Sequence, residues 1–304
     1  MQAADVTGLP SGQAAPSPEI EHVFWHGSIG GDRWADHVRA AEAGRFGSLS
    51  IDPRTFQNAR DLGRSAEEIA GLARDVGLAV RHLDIVTNWA SPPTPEGRPA
   101  SLGRFDIPVE RCFEIVDALE LATINAIPAF HLSTMEIPQL VDCFGALCET
   151  AARHSVWVDL EFMPFWGVPD LTTAWAIVQG ANQPNSGILV DTWHFCRGNP
   201  DWNLLAGIPA DKIVSVQLAD SAAARIDPDL YADNKNNRVF VGEGELPVGR
   251  VLAILAAKGR LQRIGPEIFS GTAATMDPVI AGKRAATGSL RALEEVGLRV
   301  SARE

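Results

Sequence analysis

The sequence is short of cysteines, and that shortage excludes two classes of protein. Among 304 residues there are four, Cys112, Cys143, Cys148 and Cys196, and no two of them have the CxxC spacing of a thiolate metal site. Their number is also far below that of a small secreted domain held together by disulfides. We therefore expect reduced thiols, most of them buried as small apolar side chains, and a cytoplasmic location.

Positive charge is also scarce. The chain has 26 Lys and Arg against 38 Asp and Glu, which gives a formal net charge of −12. Binding to nucleic acid or to an anionic membrane surface needs clustered cations, and the sequence contains no such cluster. We therefore expect neither nucleic acid nor membrane as a partner.

Long apolar runs are missing as well. No stretch approaches the roughly 18 apolar residues that span a bilayer. Residues 1–18 are rich in Ala, Pro, Ser and Gly and lack the basic and apolar regions of a signal peptide. The sequence predicts a flexible tail at 1–18, followed by one soluble domain at 19–304.

Short runs rich in Val, Ile, Leu and Phe alternate with longer amphipathic patterns from about residue 20 to residue 297, which is typical of repeated βα units. The eight runs are HVFWHGS from His22, FGSLSID from Phe46, LAVRHLDIV from Leu78, IPAFHLS from Ile127, VWVDLEF from Val156, GILVDTW from Gly187, IVSVQLAD from Ile213 and RIGPEIF from Arg263. Eight units in one α/β domain predict a single (β/α)8 barrel.

Helix and loop signals agree with this organisation. Ser65, with a glutamate three positions later, predicts a capped helix start, and Gly77 predicts its end. Two longer connections, 87–106 and 221–244, follow the third and seventh runs. Both are expected at the mouth of the barrel, where βα loops build sites, as lids or as contacts.

Four metal-capable oxygen residues stand at or near the ends of four successive predicted strands. They are Glu161, Asp191, Gln217 and Glu267. One such carboxylate alone is explained by capping the next helix or by pairing with an arginine. Three carboxylates gathered at one barrel mouth would repel each other unless a cation neutralised them, so the set predicts one divalent metal.

The motifs VDLEFMP, DTWH, QLAD and GPEIF resemble those of the xylose isomerase-like superfamily of sugar isomerases and epimerases, which also includes dehydratases of inosose and of 3-dehydroshikimate. The resemblance covers about residues 20 to 297. It implies that Glu161, Asp191 and Glu267 bind the metal. The usual fourth ligand of the family is a histidine on strand seven, where this chain has Gln217.

Three carboxylates and an amide form an all-oxygen ligand set, which suits Mn²⁺ or Mg²⁺ better than Zn²⁺. Because three anionic ligands leave a dication site net negative, the expected substrate is a neutral or weakly acidic keto-sugar or keto-polyol.

Further candidates come from the ends of the predicted strands. In the superfamily the histidine of the DxxH pattern contacts the substrate, which implies a catalytic role for His194; a core histidine is the alternative. Arg225 stands near the expected place of a substrate-binding arginine, or else is solvated. His82 and His131 are candidates for substrate contact, and Trp25 and Trp193 could cover the apolar face of a sugar or pack at the rim.

The chemistry that these residues imply is proton abstraction next to a carbonyl, with the metal stabilising the enediolate and Glu161 and Glu267 exchanging protons. Isomerisation or epimerisation is the first hypothesis. A dehydratase or other lyase, including one that cleaves keto-glycosides, is the alternative, because loss of a β-hydroxyl needs the same site. A nuclease is disfavoured by the acidic charge, a non-catalytic sugar-binding protein stays open, and a homo-oligomer is possible for such a barrel.

Overall fold

The protein is a closed barrel of eight parallel strands in sequence order, surrounded by helices. The computed structural model describes residues 20–92, 95–97, 99 and 106–301. The predicted single (β/α)8 barrel is confirmed. The tail predicted at 1–18 and much of the loop at 93–105 lie outside the described residues.

The strands are β1 (Glu21–Phe24), β2 (Ser48–Ile51), β3 (Ala79–Val86), β4 (Thr123–Ala126), β5 (Trp157–Glu161), β6 (Ser186–Asp191), β7 (Ser215–Leu218) and β8 (Arg263–Pro266). The helices of the described part are α1 (Trp34–Ala43), α2 (Pro53–Asp61), α3 (Ala66–Arg74), α4 (Val109–Leu119), α5 (Ile137–Arg153), α6 (Leu171–Ala181), α7 (Thr192–Arg197), α8 (Trp202–Gly207), α9 (Leu230–Asn236), α10 (Val248–Lys258) and α11 (Pro278–Glu295). None of them is long and apolar enough to cross a bilayer.

Local sequence signals explain where the helices begin. Ser65 and Glu68 form the predicted reciprocal capping box at the start of α3, and Gly77 takes a positive φ just after its end. Aspartates cap the helices that follow β2 and β6: Asp52 accepts the backbone N–H of Thr55, and Asp191 accepts that of His194. These caps set the strand-to-helix turns at the mouth of the barrel.

Two details of the strand prediction were wrong. The fourth strand is Thr123–Ala126, and the run IPAFHLS that begins at Ile127 follows it outside the sheet. Pro128 lacks the N–H that a central strand must donate, which explains why the ladder stops before it. His82 does not end the third strand, because β3 continues to Val86.

The strands pack closely inside the barrel and against one another. Val23, Trp25 and Leu189 form an apolar cluster, and the Trp25 indole N–H donates to the Val216 carbonyl at 3.2 Å. Gly265 on β8 allows the close approach of β1, since a Cβ there would lie 1.7 Å from the Val23 carbonyl oxygen. Side chains thus fill the interior of the barrel around Trp25.

His22 predicts a pH dependence of stability. Its Nε2 lies 2.9 Å from Ser289 Oγ, and burial lowers its pKa to about 3. The unfolded chain takes up a proton near the ordinary pKa of about 6.5 and the folded chain does not, so the free energy of unfolding falls as the pH drops from there toward 3. Between pH 7 and pH 5, we expect the free energy of unfolding of the wild type to fall by about 2 kcal/mol more than that of His22→Gln. Urea unfolding at both pH values checks this, and equal losses in the two proteins would refute it.

Candidate active site

A cavity of ≈ 340 Å³ opens at the carboxyl ends of the strands, where a (β/α)8 barrel carries its chemistry. It is lined by the last residues of β3 and β5, by residues that follow β1, β2, β4, β5 and β8, and by part of α9. Asp84, Glu161 and Glu267 line it together. All three side chains are nearly inaccessible to solvent, with exposed fractions of 3%, 1% and 4%. The cavity therefore has a buried acidic region at the strand ends.

Asn125 connects two of these acids. Its Nδ2 donates to Asp84 Oδ1 at 2.9 Å and to Glu161 Oε2 at 2.6 Å. The other oxygen, Glu161 Oε1, is buried without a hydrogen-bond partner among the described residues. The amide thus fixes the Glu161 carboxylate and leaves one of its oxygens available.

Asp84 and Glu267 are close enough for each carboxyl to influence the pKa of the other. Burial, and then the charge of Glu161, raises the pKa of Asp84 to about 7. Burial also raises the pKa of Glu267 well above its ordinary value, and the neighbouring charges of Asp84 and Glu161 add to this. Negative charge is therefore in excess here, and this excess favours the protonated forms of both carboxyls.

Asp191 ends β6 and is fully buried. Its Oδ1 accepts the backbone N–H of His194 at 2.9 Å, and its Oδ2 accepts Arg238 Nη1 at 2.6 Å. Burial opposes ionisation, but the charge of Arg238, the neighbouring His194 and the hydrogen bonds from both residues together outweigh it, and the pKa of Asp191 falls. Asp191 is thus a helix cap, a partner of an arginine and an ionised carboxylate at once.

Arg238 is a buried cation among these acids. Besides Asp191, its Nη1 contacts the Glu267 carbonyl oxygen at 3.2 Å and lies 3.8 Å from Glu267 Oε2. Its guanidinium carbon lies 5.2 Å from the ring centres of both Trp193 and Phe269. Asn234 on α9 accepts from its Nε and Nη2. The segment after β7 therefore delivers a positive charge to the ends of β6 and β8.

His194 lies between Arg238 and Glu161. Its Nε2 is 3.2 Å from Arg238 Nη2 and 3.3 Å from Glu161 Oε1. Nε2 therefore lies between a guanidinium, which can only donate, and a carboxylate oxygen, which can only accept. His194 thereby connects Arg238 with Glu161 in one buried polar group.

The residues present fit a divalent cation. Ligand atoms of Glu161, Asp191 and His194 lie within 4.8 Å of one another. Gln217 pairs with Asp191 in the sheet, and both polar atoms of its side chain are buried with no hydrogen-bond partner in the described part of the chain. A buried amide left unpaired costs stability, and a cation bound to its oxygen would remove part of that cost. A metal held by carboxylate and amide oxygens is therefore consistent with this site.

A second group of polar residues also lines the cavity. His26 lies 2.8 Å from Thr55 Oγ1 and 3.4 Å from Asp52, and Arg54 pairs with Asp32 at 2.6 Å. Burial, with a smaller effect of the Arg54 charge, lowers the pKa of His26 to about 3. The charges of this second group neutralise each other, whereas the acidic region has an excess of negative charge.

Glycine makes room for the acid on β8. A Cβ on Gly27, which follows β1, would lie 2.9 Å from Glu267 Cγ and 2.5 Å from the Phe269 ring. Both contacts are closer than real Cβ atoms approach their neighbours, so a larger residue at position 27 would displace Glu267.

The structure brings some of the sequence-predicted site residues together. Glu161, Asp191, Gln217, Glu267 and His194 all lie at the same end of the barrel. Gln217 and Asp191 are adjacent across the sheet, and Glu267 is joined to Asp191 through Arg238.

The other candidates lie elsewhere. His82 sits within β3, 3.5 Å from Glu21 near the start of β1, because its strand continues four residues beyond it. His131 is exposed, since β4 ends at Ala126. Arg225 is exposed too, and its Nη1 contacts the Pro228 carbonyl oxygen. Trp25 and Trp193 are buried outside the cavity lining, Trp25 in the barrel interior and Trp193 beside Arg238.

Three residues of the site were missed by the sequence analysis. Asp84 carried a usable signal, an acid inside the apolar run LAVRHLDIV and two residues after His82. Asn125 was hidden because the strand that contains it was placed too late. Arg238 had no periodic signal, because it lies in the long connection 221–244. Part of that connection, α9, lines the cavity with Tyr231, Asn234 and Lys235.

Comparison with known proteins gives a family model and two curated relatives that share one name. The family model described as xylose isomerase-like TIM barrel matches residues 38–295. A 3-dehydroshikimate dehydratase of Pseudomonas aeruginosa is 27% identical over 210 residues, which is 68% of this chain and 32% of that protein. A protein of the same name from Pseudomonas putida is 30% identical over 133 residues, 43% of this chain and 20% of its own length. The chain thus spans a third or less of the curated relatives that it matches.

Solved structures agree on the fold. The IOLI protein, whose structure has a bound zinc atom, superposes with a TM-score of 0.77 at 17% identity, over 91% of this chain and 99% of that one. An L-ribulose 3-epimerase gives 0.67 at 15% identity, over 91% and 95%. A fusion protein of a xylose isomerase-like TIM barrel with 4-hydroxyphenylpyruvate dioxygenase gives 0.78 at 20% identity, over 91% and 43%. At these identities the likeness establishes the barrel alone.

Proposed function

Because this chain belongs to the xylose isomerase-like TIM barrel family, we propose that it is a metal-dependent lyase that dehydrates a small hydroxylated ketone. The reaction begins with removal of a proton from the carbon next to the carbonyl. The metal of this proposal is Mn²⁺ or Mg²⁺, because the available ligand atoms are carboxylate and amide oxygens.

The observation that carries the proposal is the cluster of four buried acids, Asp84, Glu161, Asp191 and Glu267, with one buried arginine among them. Buried carboxylates that serve only stability are expected to have matching partners. Here Glu161 Oε1 and the amide of Gln217 have none in the described part of the chain. A divalent cation and an oxygen-rich ligand would supply what is missing.

The residues divide the chemistry among them. Asp191, Glu161, Gln217 and Glu267 would hold the cation, which when bound would polarise the substrate carbonyl as a Lewis acid. Glu161 is held by Asn125 through its Oε2, while its Oε1 has no hydrogen-bond partner in the described part of the chain, so this carboxylate is placed to take the proton from carbon. Glu267, whose pKa is raised by burial, could give a proton to the departing hydroxyl, so that water leaves and a C=C bond conjugated with the carbonyl remains.

Dehydration is placed before epimerisation because both curated relatives that match the sequence are named dehydratases. Gln217 in place of the usual strand-seven histidine also departs from the pattern of the sugar isomerases. Epimerisation remains the second candidate, since Glu161 on β5 and Glu267 after β8 both line the cavity and could exchange protons on opposite faces of a carbon.

One NMR experiment in D₂O, with an absorbance reading beside it, distinguishes dehydration from epimerisation. The Mn²⁺- or Mg²⁺-loaded protein is incubated with cyclic and open-chain hydroxy-ketones, including 3-dehydroshikimate, L-ribulose and D-allulose. A dehydratase removes the β-hydroxyl from the ketone, and the conjugated product absorbs in the near ultraviolet. An epimerase instead exchanges the α-proton of the ketone for deuterium and releases an isomer. If no ketone of the panel exchanges its α-proton or loses its β-hydroxyl, both reactions are contradicted.

A further inference from the structure

One wall of the cavity is apolar and is assembled from four separate parts of the chain. Its members are Ile85 on β3, Ile127 after β4, Met163, Phe165 and Trp166 after β5, and Tyr231 on α9. Together we call them the apolar wall. Residues so distant in sequence are brought together here to form one continuous surface that faces the cavity.

The aromatic members of the apolar wall hold each other in fixed orientations. Phe165 meets Trp166 edge to face with ring centres 5.1 Å apart, and meets Tyr231 in the same way at 5.4 Å. Edge-to-face pairs at such distances are the favoured geometry for aromatic rings. The wall is therefore preorganised for a ligand, and α9 is packed onto it through Tyr231.

The apolar wall adjoins the acidic region directly. The ring of Phe165 lies 5.7 Å from the ring of His194, whose Nε2 is 3.3 Å from Glu161. A ligand whose oxygens reach the acids would place its next few atoms against Phe165. His26 and Arg54 also line the cavity, so its lining has polar parts beside the apolar wall.

We propose that the substrate of this site carries a flat apolar group, an aromatic or conjugated ring, next to its keto and hydroxyl groups. This inference rests on the proposed metal-dependent function and adds the class of substrate to it. A simple sugar presents hydroxyls around most of its surface and would leave them unpaired against six apolar side chains, which is unfavourable. A ring attached to the oxygenated end would instead remove apolar surface from water on both sides.

The test uses two metal chelators that differ in one group. Acetohydroxamate and benzohydroxamate each bind a divalent cation through two oxygens, but the first carries a methyl group and the second a phenyl ring. Their dissociation constants are measured by calorimetry on the Mn²⁺-loaded protein and are corrected by the affinities of both compounds for free Mn²⁺. We expect benzohydroxamate to bind at least about tenfold more tightly after that correction.

Variants at Tyr231 test whether the apolar wall causes the preference for benzohydroxamate over acetohydroxamate. Tyr231→Ala is expected to reduce it to about threefold or less, whereas Tyr231→Phe, which keeps the ring, should preserve it. Circular dichroism verifies that both variants are folded, and Phe165→Leu serves as a second variant of the wall.

The outcomes distinguish failure of the ring-bearing substrate class from failure of the proposed metal-dependent function. Equal corrected affinities in the wild type would overturn the apolar wall as a ring subsite and leave the metal site standing. Full preference in Tyr231→Ala would also overturn it, because the ring would then bind elsewhere. Failure of both hydroxamates to bind in a Mn²⁺-dependent way would overturn the proposed function and the inference together.

Discussion

Glu161→Gln and Glu267→Gln are each expected to bind Mn²⁺ at least about 100-fold more weakly than the wild type and to lose catalysis. Glutamine keeps the shape of the side chain but removes the charge that attracts a dication. Loss of a neighbouring hydrogen-bond partner alone weakens metal sites by about 10- to 100-fold, so loss of a ligand should do at least as much. Calorimetric titration of the metal-free protein with Mn²⁺, with circular dichroism to verify folding, makes the measurement.

Glu245→Gln is the matched control for this prediction. Glu245 lies between α9 and α10, where its Oε2 accepts the backbone N–H of Ala223 at 3.1 Å, and it does not line the cavity. The same change of charge at this position should leave Mn²⁺ affinity within about a factor of three. Unchanged affinity in Glu161→Gln and Glu267→Gln would remove the metal site from the account.

Arg238→Met is expected to lower the free energy of unfolding by about 3–5 kcal/mol in the presence of a chelator, because it leaves buried carboxylates without their cation. Arg238 is fully buried and contacts both Asp191 and Glu267. Excess Mn²⁺ should then restore part of this loss, since a bound dication would neutralise the same acids. Urea unfolding with EDTA and with Mn²⁺ measures both effects.

Arg197→Met provides the comparison. Arg197 is a largely buried arginine that lies 3.8 Å from Asp233 and donates to backbone carbonyls of residues 222 to 224, away from the acidic region. Arg197→Met should lower the free energy of unfolding. Mn²⁺ should raise the free energy of unfolding of this variant by no more than it raises that of the wild type. If Mn²⁺ rescues both variants equally, the arginine and the metal do not serve the same acids.

The barrel itself could be predicted because its strands and helices carry local signals. Runs such as VWVDLEF and GILVDTW are short and almost wholly apolar, as fully buried parallel strands must be. The start of α3 could be predicted from Ser65 and Glu68 alone, because a capping box needs only residues three positions apart. The acids at the strand ends could be grouped because the barrel fold determines where strand ends meet.

The errors have physical causes. The fourth strand reads Thr-Ile-Asn-Ala and is less apolar than the segment that follows it, so periodicity favoured the wrong run. Asn125 was lost with that strand. Arg238 and Arg225 lie in one irregular connection, and only tertiary packing against Trp193 and Phe269 selects the first as the buried cation.

The central claim is that oxygens from four neighbouring strand ends hold one dication. The most direct test is a crystal structure of the protein grown with Mn²⁺ and measured for anomalous scattering. The account predicts one strong anomalous peak within coordination distance of Glu161 and Asp191, with Gln217 and Glu267 completing the ligand set. A peak at any other place, or a metal-free acidic region with Mn²⁺ in excess, would contradict it.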